Sequence, residues 1–116
     1  MNYLSDTEYC LNFREKNCII RGDLSQKKKY FITAVNQADK ELYKHPTIKP
    51  LDIINQLVIN GSNENDLILD CFSGSGTTAV ACHNLKRRFI CIEKDYDYWK
   101  ASVERLKNAQ AQLKLF

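Results

Sequence analysis

The chain has little that would fasten it by metal or covalent cross-link. Its five cysteines, Cys10, Cys18, Cys71, Cys82 and Cys91, include no Cys-x-x-Cys pair, so their spacing offers no zinc site and no metal is expected. The odd count argues against a disulfide framework. No apolar run approaches the ~20 residues that cross a bilayer, so no membrane contact is expected. The first residues, Met1 to Asp6, lack a basic region followed by an apolar one, so the start is not a secretory signal and the protein is expected to be cytoplasmic. There are only two prolines, Pro46 and Pro50, and they are not adjacent. Excess charge is also small, a formal +3, which permits a nucleic-acid partner without requiring one.

What remains is the composition of one small soluble domain. The 116 residues are 44% apolar and 27% charged. Two regions differ in character. Residues 1–45 mix aromatics with charges. Thr7 to Phe13 predicts a strand and Asn17 to Arg21 a second. Lys27-Lys28-Lys29 is expected in a solvated turn. Phe31 to Tyr43 is expected to be partly helical.

Residues 46–116 are better patterned. Pro50 suits the first position of a helix over Leu51 to Asn60, because its missing N–H would have no partner there. Leu51, Ile54, Leu57 and Val58 fall on one apolar face. Gly61 to Asn65 is a turn cluster. Leu67-Ile68-Leu69, ending in Asp70, and Arg88 to Ile92, ending in Glu93, read as strands buried on both faces. Thr77 to Leu85 predicts a helix between them, making a strand–helix–strand unit with parallel strands. A last helix is expected from Asp97 to Lys114, with Val103, Leu106 and Leu113 inward. Cys71, Cys82 and Cys91 are expected as small core hydrophobes.

The chemistry concentrates at Asp70-Cys71-Phe72-Ser73-Gly74-Ser75-Gly76-Thr77-Thr78, followed by Glu93. This pattern puts a carboxylate at the end of one strand, a tight loop and a helix start after it, and a second carboxylate at the end of the next strand. Ligands of open α/β sheets bind at such strand ends. Gly74 and Gly76 permit unusual dihedrals and close approach of a ligand. No lysine follows the glycines, which excludes a P-loop. The loose dinucleotide fingerprint also fits, with Glu93 near the place of a ribose contact. Yet Asp70 would repel a pyrophosphate. It would attract the ammonium and sulfonium of S-adenosylmethionine, and Glu93 could accept both ribose hydroxyls. Charge therefore favours S-adenosylmethionine over NAD, with a nicotinamide-dependent oxidoreductase as the rival reading.

Asp70 to Thr78 resembles the Asp-Pro-Phe-x-Gly-Ser-Gly-Thr-Thr cofactor motif of the bacterial and phage DNA amino-methyltransferases. His45-Pro46-Thr47-Ile48-Lys49-Pro50 resembles the His-Pro-Thr-x-Lys-Pro motif that precedes it in the permuted subclass. Phe89 to Glu93, with Tyr98 and Ala101 beyond, resembles the family's Phe-Ile-Gly-Ile-Glu continuation. Thr7 to Arg14 resembles a strand these enzymes carry before the proline-containing motif. Cys71 and Cys91 stand where proline and glycine are usual, and both are small.

The resemblance implies an α/β fold, a partial doubly wound, Rossmann-like parallel sheet of the S-adenosylmethionine-dependent methyltransferase type. Residues 1–45 would correspond to the end of the target-recognition region and 46–116 to the cofactor-binding domain. Asp70, Phe72, Gly74, Gly76 and Thr77 would line the methionine side of S-adenosyl-L-methionine. Glu93 would hold the ribose, and Thr47 and Lys49 would lie near the cofactor's carboxylate. The reaction implied is methyl transfer to an exocyclic amino group of a flipped base in duplex DNA, adenine N6 first and cytosine N4 second. The family's Pro-Pro-aromatic catalytic loop is absent, so no catalytic residue is expected here. The chain is expected to be a C-terminal part, inactive alone. It would be either one component of a split enzyme, completed by a second chain, or a non-catalytic remnant. Without the remaining strands it is expected to expose a hydrophobic sheet edge that favours association.

Overall fold

The computed structural model describes residues 8–27, 30–34, 37–43 and 47–113. Thr7, Lys28, Lys29, His45, Pro46 and Lys114, which figure in the expectations above, lie outside them, as does the side chain of Leu113. A short 3-10 turn spans Leu24–Gln26. Then follow α1 (Gln37–Tyr43), α2 (Leu51–Gly61), β1 (Leu67–Asp70), α3 (Thr77–Asn84), β2 (Arg88–Cys91) and α4 (Tyr96–Leu113).

The two apolar runs pair as the strand–helix–strand pattern predicts. β1 and β2 are parallel, with Leu67 opposite Arg88 and Asp70 opposite Cys91. That register brings the ends carrying Asp70 and Glu93 to one edge of the sheet. Beyond the strands, Ile92 N–H donates to Asp70 C=O at 2.8 Å and Ser73 N–H to Ile92 C=O at 3.0 Å. The glycine loop is thus tied to the end of β2.

The core is small. Val58, Ala81 and Cys82 are buried, and Leu51, Ile54, Ile68, Leu85 and Phe89 pack against them. It lies where α2 and α3 cover one face of the sheet. Arg87 fastens this layer: its guanidinium donates to Ser62 Oγ at 3.1 Å and to Ser62 C=O at 3.0 Å, joining the turn before β2 to the end of α2. Ser62 Oγ in turn donates to Val58 C=O at 2.6 Å. α2 therefore stops at a serine in extended conformation rather than at a left-handed glycine.

Several expectations are corrected. Pro50 is the N-cap of α2, with ψ 130°, and its carbonyl accepts from Ile54 N–H. The proline precedes the first helical residue instead of occupying it. The strands expected over 7–13 and 17–21 do not form among the described residues. Tyr9, Leu11 and Phe13 are exposed, and Asn17 has φ 76° in a turn. Extended sequence becomes a strand only when another strand satisfies its backbone groups, and among the described residues no partner strand stands beside these segments. β1 and β2 are not buried on both faces: Leu69 is 60% and Ile90 50% exposed. Their inward residues meet α2 and α3, while no described element covers the other face. Cys82 is fully buried and Cys91 half-buried, but Cys71, in the turn after β1, is exposed. On α4, Val103 and Leu106 are only half-buried, and among its described side chains the buried one is Arg105.

Candidate functional site

The loop between β1 and α3 is built around two left-handed glycines. Gly74 has φ 51° and Gly76 has φ 78°. Gly76 N–H donates to Ser73 C=O at 2.8 Å, closing a tight turn, and Gly76 C=O receives Val80 N–H, which starts α3. A side chain at Gly76 would strain this backbone. It would also place a Cβ 2.7 Å from Ser102 Cβ on α4.

Each acid anchors part of this loop. Asp70 Oδ1 accepts Phe72 N–H at 3.0 Å, and Oδ2 accepts the Thr78 hydroxyl at 2.6 Å. Glu93 Oε2 accepts Gly74 N–H at 2.8 Å, and Oε1 accepts Asp95 N–H at 2.9 Å. A carboxylate has about four lone-pair positions, so each acid retains capacity for a ligand. The backbone N–H of Asp95 and then that of Gly74 hold the Glu93 carboxyl below its ordinary value. The sign follows directly. A carboxyl whose folded value is depressed adds stability above its unfolded value of 4.5, and that stability is lost as pH falls through the folded value. Glu93→Gln is therefore expected to flatten the acid limb of the stability curve below about pH 4.5 while leaving its neutral-pH shape intact. Urea titrations of both proteins from pH 3 to pH 7 measure it, and parallel acid limbs would contradict it.

The two acids share a cleft of about 340 Å³, within the size range of small-molecule sites. Thr47, Lys49, Phe72, Gly74 and Thr77 also line it, so seven of the eight residues singled out in the sequence meet in one place. Gly76 is not among the lining residues. Its α-carbon backs onto Ser102, so its smallness serves helix packing. Phe72 is 92% exposed. Lys49 Nζ pairs with Glu8 Oε2 at 2.7 Å across a solvent-exposed contact. Lys49 C=O accepts the Thr77 hydroxyl at 3.3 Å, which links the segment before α2 to the start of α3.

Cys91 and Cys82 are not activated thiols. Burial first, and then the nearby Asp70 and Cys82, push the Cys91 thiol up to about 11. Burial also raises Cys82, partly offset by Arg87. Both stay protonated at neutral pH and pack as hydrophobes.

Sequence reasoning gave Thr78 no role beyond its place in the motif and passed over Arg105. Thr78 holds Asp70 from the first turn of α3. Arg105 is 6% exposed. Its Nη1 donates to Thr77 Oγ1 at 2.9 Å and reaches Ser75 O and Oγ at 3.4 Å. The available signal was a cation on a helical stripe with Tyr98, Ala101 and Ser102. A second cleft of about 600 Å³, lined by Tyr43, Tyr98, Glu104 and Arg105 among others, lies between α1 and α4. It contains neither strand-end acid and none of the glycine loop, so the smaller cleft is the candidate site.

An α/β crossover with a glycine loop between two strand-end acids defines a class of nucleoside-binding proteins. The sequence pattern of the DNA methylase family, N6/N4 type, matches residues 11–104, and the chain belongs to that family. It is 38% identical over 95 residues to the type II methyltransferase M2.MboI of Moraxella bovis, covering 82% of this chain and 35% of that protein. It is 38% identical over 66 residues to the DNA adenine methyltransferase YhdJ of Escherichia coli K12, covering 57% of this chain and 22% of that protein. Among solved structures it resembles the M1.HpyAVI–SAM complex, with a TM-score of 0.65 and 35% identity over 76% of this chain and 43% of that one. The chain thus spans about a third of M2.MboI. The fold is of the S-adenosylmethionine-dependent methyltransferase type.

Proposed function

We propose that this chain is the S-adenosylmethionine-binding part of a DNA methyltransferase acting on an exocyclic amino group, adenine N6 before cytosine N4. The observation that carries the reading is the convergence of Asp70 and Glu93 on one cleft around the glycine loop. The donor set fits this cofactor. An anion at Asp70 suits the ammonium and sulfonium end. The remaining lone pairs of Glu93 suit a ribose diol, each charge-assisted bond adding roughly 1.5–3 kcal/mol. Lys49 and Thr47 also line the cleft and would offer a cation and a hydroxyl to the cofactor's carboxylate, Lys49 by exchanging its exposed partner Glu8. The exposed ring of Phe72 offers a flat apolar surface to the cofactor. A dinucleotide would bring its pyrophosphate against Asp70, which disfavours the oxidoreductase reading. The M1.HpyAVI structure is a complex with SAM, and the adenine enzyme YhdJ supports the order of target bases.

When bound, the cofactor supplies an electrophilic methyl group. Asp70, Glu93, Thr47, Lys49 and Phe72 of this chain would bind and orient it. The Pro-Pro-aromatic loop that would receive the target amino group is not in this sequence, whose only prolines are Pro46 and Pro50. In this reading the loop comes from another segment or from a second chain, and duplex DNA is bound by that complete assembly. The bare face of Leu67, Leu69, Ile90 and Ile92 supports an assembly of this kind, because exposed apolar patches on sheets mark contact surfaces.

Saturating S-adenosylmethionine is expected to raise the melting temperature and NAD to leave it unchanged; a ligand at 100 times its Kd stabilises by about 2.7 kcal/mol. The chain alone is expected to transfer no tritiated methyl group to duplex DNA. Absence of any shift with the cofactor would overturn the binding reading. Tritium in the DNA would overturn the assignment of catalysis to a missing loop.

A further inference from the structure

Arg105 is a buried cation whose hydrogen bonds run toward the cofactor cleft from behind. Burying a guanidinium costs several kcal/mol unless its donors are met and its charge is balanced. The nearest carboxylate among the described residues, Asp39 on α1, is 3.9 Å away, too far for a good hydrogen bond. Tyr43 on the same helix lays its ring 4.4 Å from the guanidinium carbon. The close contact goes to the start of α3, just after the glycine loop, with Nη1 at 2.9 Å from Thr77 Oγ1. Ser102, one turn earlier on α4, presses against Gly76.

This geometry does more than fill space. The Thr77 hydroxyl has one proton. Because it accepts from Arg105, that proton is directed to Lys49 C=O, 3.3 Å away. One chain of contacts therefore runs from α1 through Arg105 and Thr77 to Lys49. It sets the distance between the glycine loop and the segment bearing Thr47 and Lys49. Thr47, Lys49 and Thr77 line the cleft together, and in the reading above Thr47 and Lys49 serve the cofactor's carboxylate. The ribose end depends on different bonds, from Gly74 and Asp95 to Glu93.

We infer that Arg105 is a positioning residue for the amino-acid end of the bound nucleoside, acting through the Thr77 hydroxyl and the Lys49 carbonyl. The inference rests on the cofactor reading above. It separates two halves of one ligand. Arg105→Met is expected to weaken S-adenosylmethionine binding by at least tenfold, while binding of 5′-methylthioadenosine, which lacks the amino-acid carbons, changes by less than threefold. Arg105→Lys keeps the charge and one donor and is expected to recover part of the loss. Thr77→Val is expected to reproduce the selective loss, and the Arg105→Met/Thr77→Val double variant to lose no more than either single one.

Calorimetric titration of the full chain with both ligands, alongside circular dichroism, measures this. If Arg105→Met unfolds, Arg105→Lys and Thr77→Val carry the same comparison. Equal losses for the two ligands in folded variants would reduce Arg105 to a structural residue and overturn the inference. Unchanged affinity for S-adenosylmethionine would overturn it too, leaving the cofactor reading intact. A wild-type chain that binds neither ligand would overturn both.

Discussion

Asp70→Ala is expected to abolish the S-adenosylmethionine thermal shift. Two effects combine. The carboxylate accepts Phe72 N–H and the Thr78 hydroxyl, so its removal frees the loop after β1 from the first turn of α3. It also removes the anion that would face the ligand's positive end. Asp70→Asn separates them. An asparagine can still accept from Phe72 N–H, and its amide can donate to the Thr78 oxygen, so the loop keeps its ties while the charge is gone. The melting temperature of Asp70→Asn without ligand is expected to stay near wild type. Its cofactor affinity is expected to fall by roughly 10- to 150-fold, the equivalent of one charge-assisted bond of about 1.5–3 kcal/mol. Full affinity in Asp70→Asn would show that the acid serves only to shape the loop. An undiminished thermal shift in Asp70→Ala would remove Asp70 from the site altogether.

Gly76→Ala is expected to lower the stability of the free chain more than Asp70→Asn, Glu93→Gln or Thr77→Val. Left-handed backbone costs a residue with a Cβ about 1–2 kcal/mol. The new methyl would also stand 2.7 Å from Ser102 Cβ, a part of α4 that cannot swing aside without moving the helix. Overpacking of that kind costs typically about 1–3 kcal/mol. The sum, about 2–5 kcal/mol, is a large share of the ~5–15 kcal/mol that holds a domain together. Gly61 is the matched control. A Cβ there meets nothing within 4 Å, and its φ is not positive. Gly61→Ala, at the last residue of α2, is expected to stabilise by up to about 1 kcal/mol, the helix-propensity difference. Urea unfolding of both variants decides it; similar midpoints would mean that the contact of the loop with α4 is not tight.

Much of the site was legible because its signals are local. Asp70, the glycine pair and Glu93 are separated along the chain by one helix. Parallel pairing of the strands on either side of that helix brings their ends together. The apolar runs, the crossover length and the position of the acids all follow from neighbours in sequence. The same locality explains the reading of α2, where four apolar residues at helical spacing needed only a surface to cover.

What the sequence did not determine depends on partners distant in the chain. Residues 8–13 and 17–21 have strand-like composition, but a strand exists through hydrogen bonds to another strand, and composition cannot provide one. Leu69 and Ile90 look like residues of a doubly covered sheet, yet burial is decided by which elements pack on each face. The role of Gly76 followed from the approach of Ser102, 26 positions on. Arg105 would pass for a solvated helix charge until α1 and the glycine loop close around it. Sequence thus settled the order of strand, loop, helix and acid, because short-range backbone preferences act before any packing. Tertiary structure alone decided which side chains are shielded from water, because desolvation depends on what the folded chain brings near and not on adjacency along it.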